Sequence, residues 1–581
     1  MFRELTPEQA EAIDTDRNRL VTACPGSGKT RTALARIIRG SIAFSETFES
    51  VLALTFTNGA RTELDRRVTQ HCDSTIASSI STYTFHGFVL QELVRPFGAL
   101  IVEDGLQLAV PGNIAYEKAV ATVATRQAID KDSLRSSLKN CNRLSTGEPS
   151  KNGRALGMRE SAIVSDFWVE LSSLGYVDFS GALHIGHLLL TEHPWIGRGI
   201  SAKFPLVVVD EYQDCSEPQL ALLQDLKRGG SVFFLVGDYF QSLFEFAGAN
   251  QTSVADFVEE IHADSRTLSG SHRCARAILD IAERIFPRSL ECIGEALRVP
   301  GLVKICALSS PFDDLARFVD DCFNAGIPSS QIAVVSAWNR RLDEIVTEVS
   351  SRGIGAVIGK VQRPDDEWLE SFVESMILAD PPGNVEDIES FCEALLAVVE
   401  RLSERPYSVT KMRAEIYAAV TANISPSEPL AGSFLEALPK VVERSVFFLV
   451  STCLFTKQEL RAAESRLEAA CADYRSKGRT DESIDALRER LRPDDKIRAY
   501  TYQGIKGLEF DAVAVLDICN PYVPFPKERD LSNTARLLYV GVTRAKSRLM
   551  LHIPDDESES SFAPVLLGTV GANALYGGIF R

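Results

Sequence analysis

The chain contains an eight-residue segment whose residue types and spacing suit the binding of phosphate groups. It follows an apolar, β-branched run, precedes a helical pattern, and reads Ala23-Cys24-Pro25-Gly26-Ser27-Gly28-Lys29-Thr30. Glycines let backbone N–H groups and a helix N-terminus come close to phosphate oxygens. The Lys29 ammonium group can then reach the β- and γ-phosphates, and the Thr30 hydroxyl can ligate magnesium. The segment therefore predicts a site for a nucleoside triphosphate and Mg²⁺, although Ala23 stands where such loops usually begin with glycine.

Two adjacent carboxylates, Asp210 and Glu211, follow an apolar run at 206–209. The carboxyl end of a buried parallel strand opens on the crevice where ligands bind. There, Asp210 would hold magnesium through water, and Glu211 would orient the attacking water and take its proton. By itself the pair is more typical of a solvated acidic turn. Behind a phosphate loop, however, it predicts the second half of a hydrolytic site.

The elements that must position these residues form two sets of short β-branched runs separated by helical patterns, which is typical of parallel sheets covered by helices. The first set lies at 20–24, 51–57, 205–211 and 232–238, and the second at 302–308, 331–337, 497–503, 512–518 and 548–553. The intervening segments 96–199 and 376–494 lack strand runs. We therefore predict two α/β cores, each interrupted by a mostly helical insertion.

Composition limits the class of protein. The 581 residues are 45% apolar and 24% charged, which predicts a globular chain of several structural units. The opening segment is polar, and no run reaches the roughly 18 uncharged apolar residues of a membrane span, so we expect a cytoplasmic protein without a membrane partner. The 12 cysteines show no CxxC spacing and are expected to be reduced thiols.

The net charge of −17 argues at first against a nucleic-acid partner, but the charge is unevenly distributed. No basic residue lies between Arg363 and Arg401, whereas residues 118–159 hold nine basic residues against three acidic ones. A locally cationic segment is therefore available to contact phosphates.

Nine segments, the phosphate loop and eight others in order along the chain, resemble the motifs of the UvrD/Rep/PcrA group of superfamily 1 DNA helicases. They are LTPEQAEAI with Gln9 (the Q motif), the phosphate loop, LALTFTNGARTEL at 52–64, YTFHGF at 83–88, DEYQD at 210–214 with VGDYFQSLFEFAGA at 236–249, SHRC at 271–274, YTYQGIKGLEF at 500–510, and ARLLYVGVTRAKSRL at 535–549. The resemblance covers nearly the whole chain from Leu5 to about Met550.

The resemblance implies two RecA-like domains with ATP and Mg²⁺ bound between them. It implies the segments 1–95 and 200–265 for domain 1A, 96–199 for insertion 1B, 266–375 and 495–581 for domain 2A, and 376–494 for insertion 2B. Lys29, Thr30, Asp210 and Glu211 would serve hydrolysis from the first domain, with Thr30 and Asp210 at the metal. Gln241 would contact the γ-phosphate, and Arg273 and Arg544 would act as arginine fingers from the second domain. Gln9, Arg31 and His272 would hold adenine, while Gly507 and Glu509 would meet the nucleotide, Glu509 at the ribose.

Single-stranded DNA would lie across both domains on residues that the resemblance assigns, namely Phe56, Asn58, His86, Phe244, Phe246 and Gln503. Aromatic faces stack on any base, at about 1–3 kcal/mol per base, which suits a motor that reads no sequence. For Phe244 and Phe246 the alternative is core packing. The sequence departs from the family at His272 (usually Tyr), Ala247 (usually Arg), Gln503 (usually His), and at Asn533 and Thr534 (often acidic). These departures concern DNA contact and coupling, whereas the hydrolytic residues are all present.

A stripe of cations leads to a separate hypothesis from the residues alone. Lys131, Arg135, Lys139 and Arg143 recur every four residues, beside an apolar stripe of Leu134, Leu138 and Cys141. On one helix they would form a cationic flank that meets DNA phosphates, at the duplex ahead of the fork. An ordinary solvated helix face is an equally good interpretation.

Three functions are consistent with these residues. The first is an ATP-dependent DNA helicase that moves 3′-to-5′ on single-stranded DNA and at junctions with duplex. The second is a single-stranded-DNA-stimulated ATPase or translocase subunit that unwinds weakly alone and works with a nuclease partner in repair or phage defence, as in Gabija-type systems. The third is a nucleotide-gated switch without turnover, against which the intact hydrolytic residues argue.

Overall fold

The computed structural model describes residues 4–102, 107–109, 114–139, 141–151, 154–242, 251–307, 310–359, 368–380, 496–518 and 531–553, together with short pieces between 387 and 488 and Leu566. Within these residues the chain forms two six-stranded sheets in which every neighbouring pair of strands is parallel. The prediction of two parallel-sheet α/β cores is therefore confirmed.

The first sheet has the strand order β6-β1-β5-β4-β2-β3. Its strands are β1 (Arg19–Ala23), β2 (Val51–Thr55), β3 (Ile80–Thr84), β4 (Leu206–Asp210), β5 (Val232–Gly237) and β6 (Asp264–Leu268). The central strands are almost entirely buried, which explains why they read as continuous apolar runs. The edge strands β3 and β6 are half-buried or exposed except at Leu268, and the sequence analysis did not identify them.

The second sheet has the strand order β7-β12-β11-β8-β10-β9. Its strands are β7 (Leu302–Ala307), β8 (Ile332–Ser336), β9 (Ala356–Ile358), β10 (Ile497–Thr501), β11 (Phe510–Val515) and β12 (Ala545–Ile553). Strands from before and after the second insertion are interleaved in this sheet, so the sequence on both sides of the insertion is needed to complete it.

Among the described residues, α-helices cover both sheets and build most of the first insertion. Those of at least five residues are α1 (Pro7–Ile13), α2 (Lys29–Phe44), α3 (Asn58–His71), α4 (Ser74–Ser78), α5 (Ile114–Arg126), α6 (Lys131–Leu138), α7 (Met158–Ser173), α8 (Phe179–Glu192), α9 (Pro194–Lys203), α10 (Glu217–Gly229), α11 (Gln251–Glu260), α12 (Arg276–Ile285), α13 (Pro311–Asn324), α14 (Asn339–Ser351), α15 (Trp368–Ala379) and α16 (Leu531–Val542). A further helical segment runs from Phe85 to Phe97 and is π-helical over Val89–Val94. None of the helices among the described residues is long and apolar enough to span a membrane.

The first insertion is helical as predicted, but it also contains short strands that were not expected. A three-stranded antiparallel sheet is formed by Cys141–Arg143, Pro149–Lys151 and Arg154–Ala155. The expectation that residues 96–199 lack strands is therefore wrong. The turn at 144–148 closes a hairpin, since Leu144 N–H donates to the Glu148 carbonyl at 2.9 Å.

The predicted cationic helix from Lys131 to Arg143 is also wrong. Helix α6 ends at Leu138, and Lys139 is extended with ψ 129°. Arg143 lies in the hairpin, where its guanidinium carbon sits 5.3 Å from the centre of the Trp168 ring. Arg135 forms an ion pair with Glu117, 2.6 Å away, and another with Asp132. The four-residue spacing therefore spans a helix and a hairpin, and it does not produce one cationic flank.

The chain passes from the first sheet to the second at Ser269. Strand β6 continues to Leu268, so it crosses the boundary that the sequence analysis placed between residues 265 and 266. The Ser269 N–H and hydroxyl donate to the carboxylate of Glu8 on α1, at 3.1 and 2.7 Å. The Ser269 carbonyl accepts from the thiol of Cys24 at 3.2 Å. The crossover is thus held against both α1 and the phosphate loop.

Candidate active site between the two sheets

The phosphate loop joins the carboxyl end of β1 to the first residue of α2. Gly26 and Gly28 adopt positive φ values of 74° and 80°, a conformation that glycine reaches without a steric penalty. A Cβ on Gly26 would lie 2.4 Å from the Cβ of Arg273, so this glycine also allows the second half of the chain to approach the loop. The Gly26 carbonyl accepts from the N–H of His272 at 2.9 Å. The loop is therefore packed directly against the SHRC motif.

Helix α1 supports the same loop from the other side. The Gln9 side chain is buried and donates from Nε2 to the Ser27 carbonyl at 2.8 Å, while its Oε1 accepts from the N–H of Thr6 in a capping box. Arg31, on the first turn of α2, forms an ion pair with Glu4. The structure thus places Gln9 and Arg31 beside the loop, where the resemblance expects an adenine site. His272, the third residue of that expected site, is exposed.

Cys24 is fully buried within the loop. It belongs to an apolar cluster made almost entirely of residues from the second half, including Cys274 and Tyr539. Burial raises the pKa of the Cys24 thiol to about 12, so the group is a neutral packing residue at neutral pH. Ala23 and Pro25 are likewise buried, and they leave the loop backbone as the surface for phosphates.

The Lys29 side chain lies between two of the predicted catalytic residues. Its Nζ is 3.6 Å from Oε1 of Glu211 and donates to Oε1 of Gln241 at 3.4 Å. The three residues are far apart in the sequence but share one pocket. The structure therefore brings together the cation of the phosphate loop, the proposed base and the proposed γ-phosphate contact.

The acidic pair stands at the carboxyl end of β4, as predicted. Glu211 adopts φ 54°, which turns its side chain back to the site, and Gln213 donates a hydrogen bond to its carboxylate. Burial raises the pKa of Asp210, and the neighbouring Glu211 carboxylate adds to this effect. Burial also opposes the charge on Glu211, but the ammonium groups of Lys29 and Lys506 outweigh it and hold the pKa of that carboxyl below its usual range. Glu211 is therefore the carboxylate of the pair that stays ionised.

Two arginines from the second half of the chain reach this pocket. Arg544, at the end of α16, is buried and donates to Oε1 of Gln241 at 2.9 Å. Arg273 donates to the Thr543 carbonyl at 3.3 Å and forms an ion pair with Glu509, the expected ribose contact. Burial and the nearby Arg273 lower the pKa of Arg544 to about 10, which still leaves it a cation at neutral pH.

Four polar residues of the site were missed by sequence reasoning. Lys506 contacts Asp214 and lies 4.0 Å from Glu211, and both Lys506 and Asp214 belong to segments that the motif matches had already marked. Arg288 and Asp238 form an ion pair of 3.1 Å across the cleft. Arg288 lies in none of the motif matches, so only the fold could reveal it. Gly507, which was predicted, has φ 84° and is exposed in the loop after β10.

The residues proposed for magnesium fit that ion. Among the described residues there is no cluster of three or more His, Cys, Asp or Glu side chains that would hold a metal alone. Magnesium needs no such cluster, because it is usually bound by one or two protein oxygens together with phosphates and waters. The Thr30 hydroxyl and the Asp210 carboxylate, at the phosphate loop and the end of β4, supply that kind of donor set.

Part of the predicted DNA track can be located. Phe56 follows β2 and packs on Phe85 at 5.3 Å between ring centres, and His86 packs edge-on against Phe179 at 4.9 Å. Burial lowers the pKa of His86 to about 4, so its ring is neutral at physiological pH. Gln503 lies in the loop after β10. Phe244, Phe246 and the side chain of Asn58 lie outside the described residues.

Comparisons with known proteins show which sequences this chain resembles. Residues 5–262 match the family model described as the UvrD/REP helicase N-terminal domain, and residues 481–554 match that of the UvrD-like helicase C-terminal domain. The chain is 24% identical to the ATP-dependent DNA helicase PcrA of Bacillus subtilis (strain 168), over 94% of this chain and 82% of the relative. It is 24% identical to DNA helicase II of Salmonella typhimurium, over 95% of this chain and 84% of the relative. It is 23% identical to a probable DNA helicase II homolog of Mycoplasma pneumoniae, over 94% of this chain and 84% of the relative.

Proposed function

This chain belongs to the UvrD-like helicase family of ATP-dependent DNA helicases, and we propose that it moves 3′-to-5′ along single-stranded DNA by hydrolysing ATP between its two sheets. One observation carries the proposal. Gln241 accepts hydrogen bonds from Lys29 of the phosphate loop and from Arg544 of the second half, at 3.4 and 2.9 Å. Hydrolysis and the relative position of the two halves therefore depend on the same contact.

The residues of the pocket have complementary roles in this proposal. Lys29 and the loop N–H groups bind the β- and γ-phosphates, and Glu211, ionised between Lys29 and Lys506, accepts the proton of the attacking water. Arg544 and Arg273 stabilise the charge that develops on the transferred phosphoryl group. Magnesium, when bound at Thr30 and Asp210, would neutralise part of the phosphate charge. Because Arg544 belongs to the second half, charge stabilisation requires a closed cleft.

The DNA track follows from the edge at which the parallel strands end. Phe56 and His86 follow β2 and β3 in the first sheet, and Gln503 follows β10 in the second. Stacking of bases on the rings would give affinity without sequence preference. The proposed track thus includes residues of both sheets. Opening or closing of the cleft would therefore move Gln503 relative to Phe56 and His86.

A second candidate is a translocase subunit that works with a nuclease partner in repair or phage defence. It is favoured by Gln503, which replaces the family's histidine in the segment YTYQGIKGLEF at 500–510. In this candidate the ATPase is stimulated by single-stranded DNA but strand displacement by the isolated chain is weak.

The test is a strand-displacement assay with the purified chain on duplexes that carry a 3′ or a 5′ single-stranded tail. The proposal expects ATP-dependent unwinding of the 3′-tailed duplex only. Glu211→Gln is the matched control, since it keeps the size of the side chain and should abolish unwinding while single-stranded DNA binding persists. Strong DNA-stimulated ATPase without displacement would favour the second candidate, and preference for the 5′ tail would contradict the proposed direction.

A further inference from the structure

Arg288 is a largely buried cation that joins the two halves of the protein beside Ala23, the first residue of the phosphate loop. It lies three residues after α12 in the second half, and its side chain is 11% exposed. Its Nη1 is 3.1 Å from Oδ1 of Asp238 and 3.2 Å from the hydroxyl of Tyr539, and its Nη2 donates to the Ala23 carbonyl at 3.5 Å. One guanidinium group therefore touches the end of β1, the end of β5 and helix α16.

Asp238 connects Arg288 to Gln241. Its side chain is fully buried, and its Oδ1 also accepts from the N–H of Phe240 at 3.1 Å, which caps the single 3₁₀ turn Tyr239–Gln241. Among the described residues, the ion pair with Arg288 is the one that balances this carboxylate. An unbalanced buried charge is strongly destabilising. The conformation of the turn that carries Gln241 thus depends on Arg288.

Tyr539 connects the same guanidinium to Arg544. Tyr539 is fully buried on α16, and its carbonyl accepts from the N–H and hydroxyl of Thr543 at 3.0 and 2.8 Å. Arg544 follows Thr543 directly and donates to the Val540 carbonyl at 3.1 Å. Arg288 therefore holds the last turn of α16, which ends two residues before the proposed arginine finger Arg544.

Aromatic packing makes this connection rigid. The Phe240 ring lies 4.7 Å from the Phe286 ring and 6.2 Å from the Tyr539 ring, between ring centres, and the guanidinium carbon of Arg288 lies 4.9 Å from the centre of the Phe240 ring. A cation over an aromatic face is attracted to it, the more so when both are desolvated. The turn with Gln241 and the helix with Arg544 are thereby packed on one group.

We propose that Arg288 is a positioning residue for ATP hydrolysis, which aligns Gln241 with Arg544 by bridging Asp238 and Tyr539 across the cleft. The inference rests on the proposed function. Within the described part of the chain, Arg288 contacts Asp238, Tyr539 and Ala23 and touches neither Lys29 nor Glu211, so it acts on hydrolysis through the residues it positions. Opening of the cleft must separate it from Asp238, so the ion pair also favours the closed arrangement in which hydrolysis takes place.

The experiment compares Arg288→Met, Arg288→Lys and the double variant Asp238→Asn/Arg288→Met with the wild type. DNA-stimulated ATPase gives kcat and KM, and thermal unfolding gives Tm. Arg288→Met is expected to lower kcat about 10- to 100-fold, the cost of misplacing a catalytic group, while KM for ATP changes less than about threefold. Arg288→Lys keeps the charge and should recover part of kcat. The double variant removes both buried charges and should regain the Tm but not the kcat.

Arg284→Met is the matched control, because Arg284 is an exposed arginine on α12 that donates to the Leu566 carbonyl and, within the described part of the chain, makes no hydrogen bond or ion pair with the first half. It should leave kcat unchanged. Wild-type kcat in Arg288→Met, or full recovery of kcat in the double variant, would overturn the inference and leave the proposed function standing. A wild-type chain without DNA-stimulated ATPase would overturn both.

Discussion

The ammonium group of Lys506, in the loop after β10, forms an ion pair with the buried carboxylate of Asp214 in the first half. The same ammonium group is 4.0 Å from Glu211, which Lys29 approaches to 3.6 Å from the other side. The proposed catalytic carboxylate is therefore balanced by two cations, one from each half of the chain. Its charge and orientation depend on the position of the second half even before nucleotide binds.

Removal of Lys506 should reduce ATP hydrolysis more than ATP binding. Lys506→Met leaves the buried Asp214 unpaired and gives Glu211 a single cation, so we expect kcat to fall about 10- to 100-fold. DNA-stimulated ATPase measured over a range of ATP concentrations checks this. Lys546→Met is the control, since Lys546 pairs with Asp511 at 3.5 Å on the surface. Equal kcat values for the two variants would contradict the assignment.

Gln241 and Arg544 should behave as one unit. Arg544→Lys and Gln241→Ala each remove the 2.9 Å contact, and the loss of such a preorganised donor typically lowers kcat about 10²- to 10³-fold. The kcat of the double variant is expected to be only slightly lower than that of the slower single variant, because each single substitution already removes the contact. Single-turnover ATP hydrolysis measures all three variants. Fully multiplicative effects would show that the two side chains act independently.

Phe56 is expected to contribute to single-stranded DNA binding. Phe56→Leu keeps the packing on Phe85 but removes a stacking face, which should weaken binding by about 1–3 kcal/mol, or about 5- to 150-fold. Fluorescence anisotropy with a labelled oligonucleotide checks the change, while the ATPase rate without DNA should persist. Phe48→Leu is a suitable control, because that ring is 94% exposed and lies outside the motifs.

His86 should make the folded protein less stable in mild acid. Burial lowers its pKa from 6.5 to about 4, so below pH 6.5 the unfolded chain binds a proton that the folded chain does not. His86 therefore does not lower the free energy of unfolding above pH 6.5. Below that pH it lowers the free energy of unfolding progressively as the pH approaches 4, by about 2 kcal/mol at pH 5. Unfolding by urea at pH 7 and pH 5 measures the difference. His86→Gln should show a smaller dependence on pH, and an unchanged dependence would exclude His86 as a source.

The hydrolytic centre was predictable because its chemistry is local. The pair Asp210–Glu211 follows the buried central strand β4, whose continuous apolar run is visible in the sequence, and the phosphate loop follows β1, where buried residues alternate with half-buried ones. Edge strands leave no such pattern. Strand β6 reads DSRTL and is largely exposed, so its polar residues concealed both the strand and the true crossover at Ser269.

Contacts between distant segments could not be predicted. Arg288 and Asp238 are 50 residues apart and become partners only when the two halves meet. The cationic stripe is a different case, in which the sequence predicted an element that the structure does not have: the regular spacing from Lys131 to Arg143 suggested one helix. Residues after Leu138 instead form a hairpin, whose strand pairing depends on residues as far away as Lys151. Periodicity describes a continuous helix well, but it cannot detect where tertiary pairing ends that helix.

Ser269, where the chain passes between the two halves, lies beside the phosphate loop. Because this crossover is bonded to Glu8 and to Cys24, we expect the two halves to turn about a point beside that loop. A small rotation about this point displaces atoms beside the loop very little, and it displaces atoms far from the loop much more. Small conformational changes around a bound phosphate would in this way be amplified into the larger displacements that movement along a DNA strand needs.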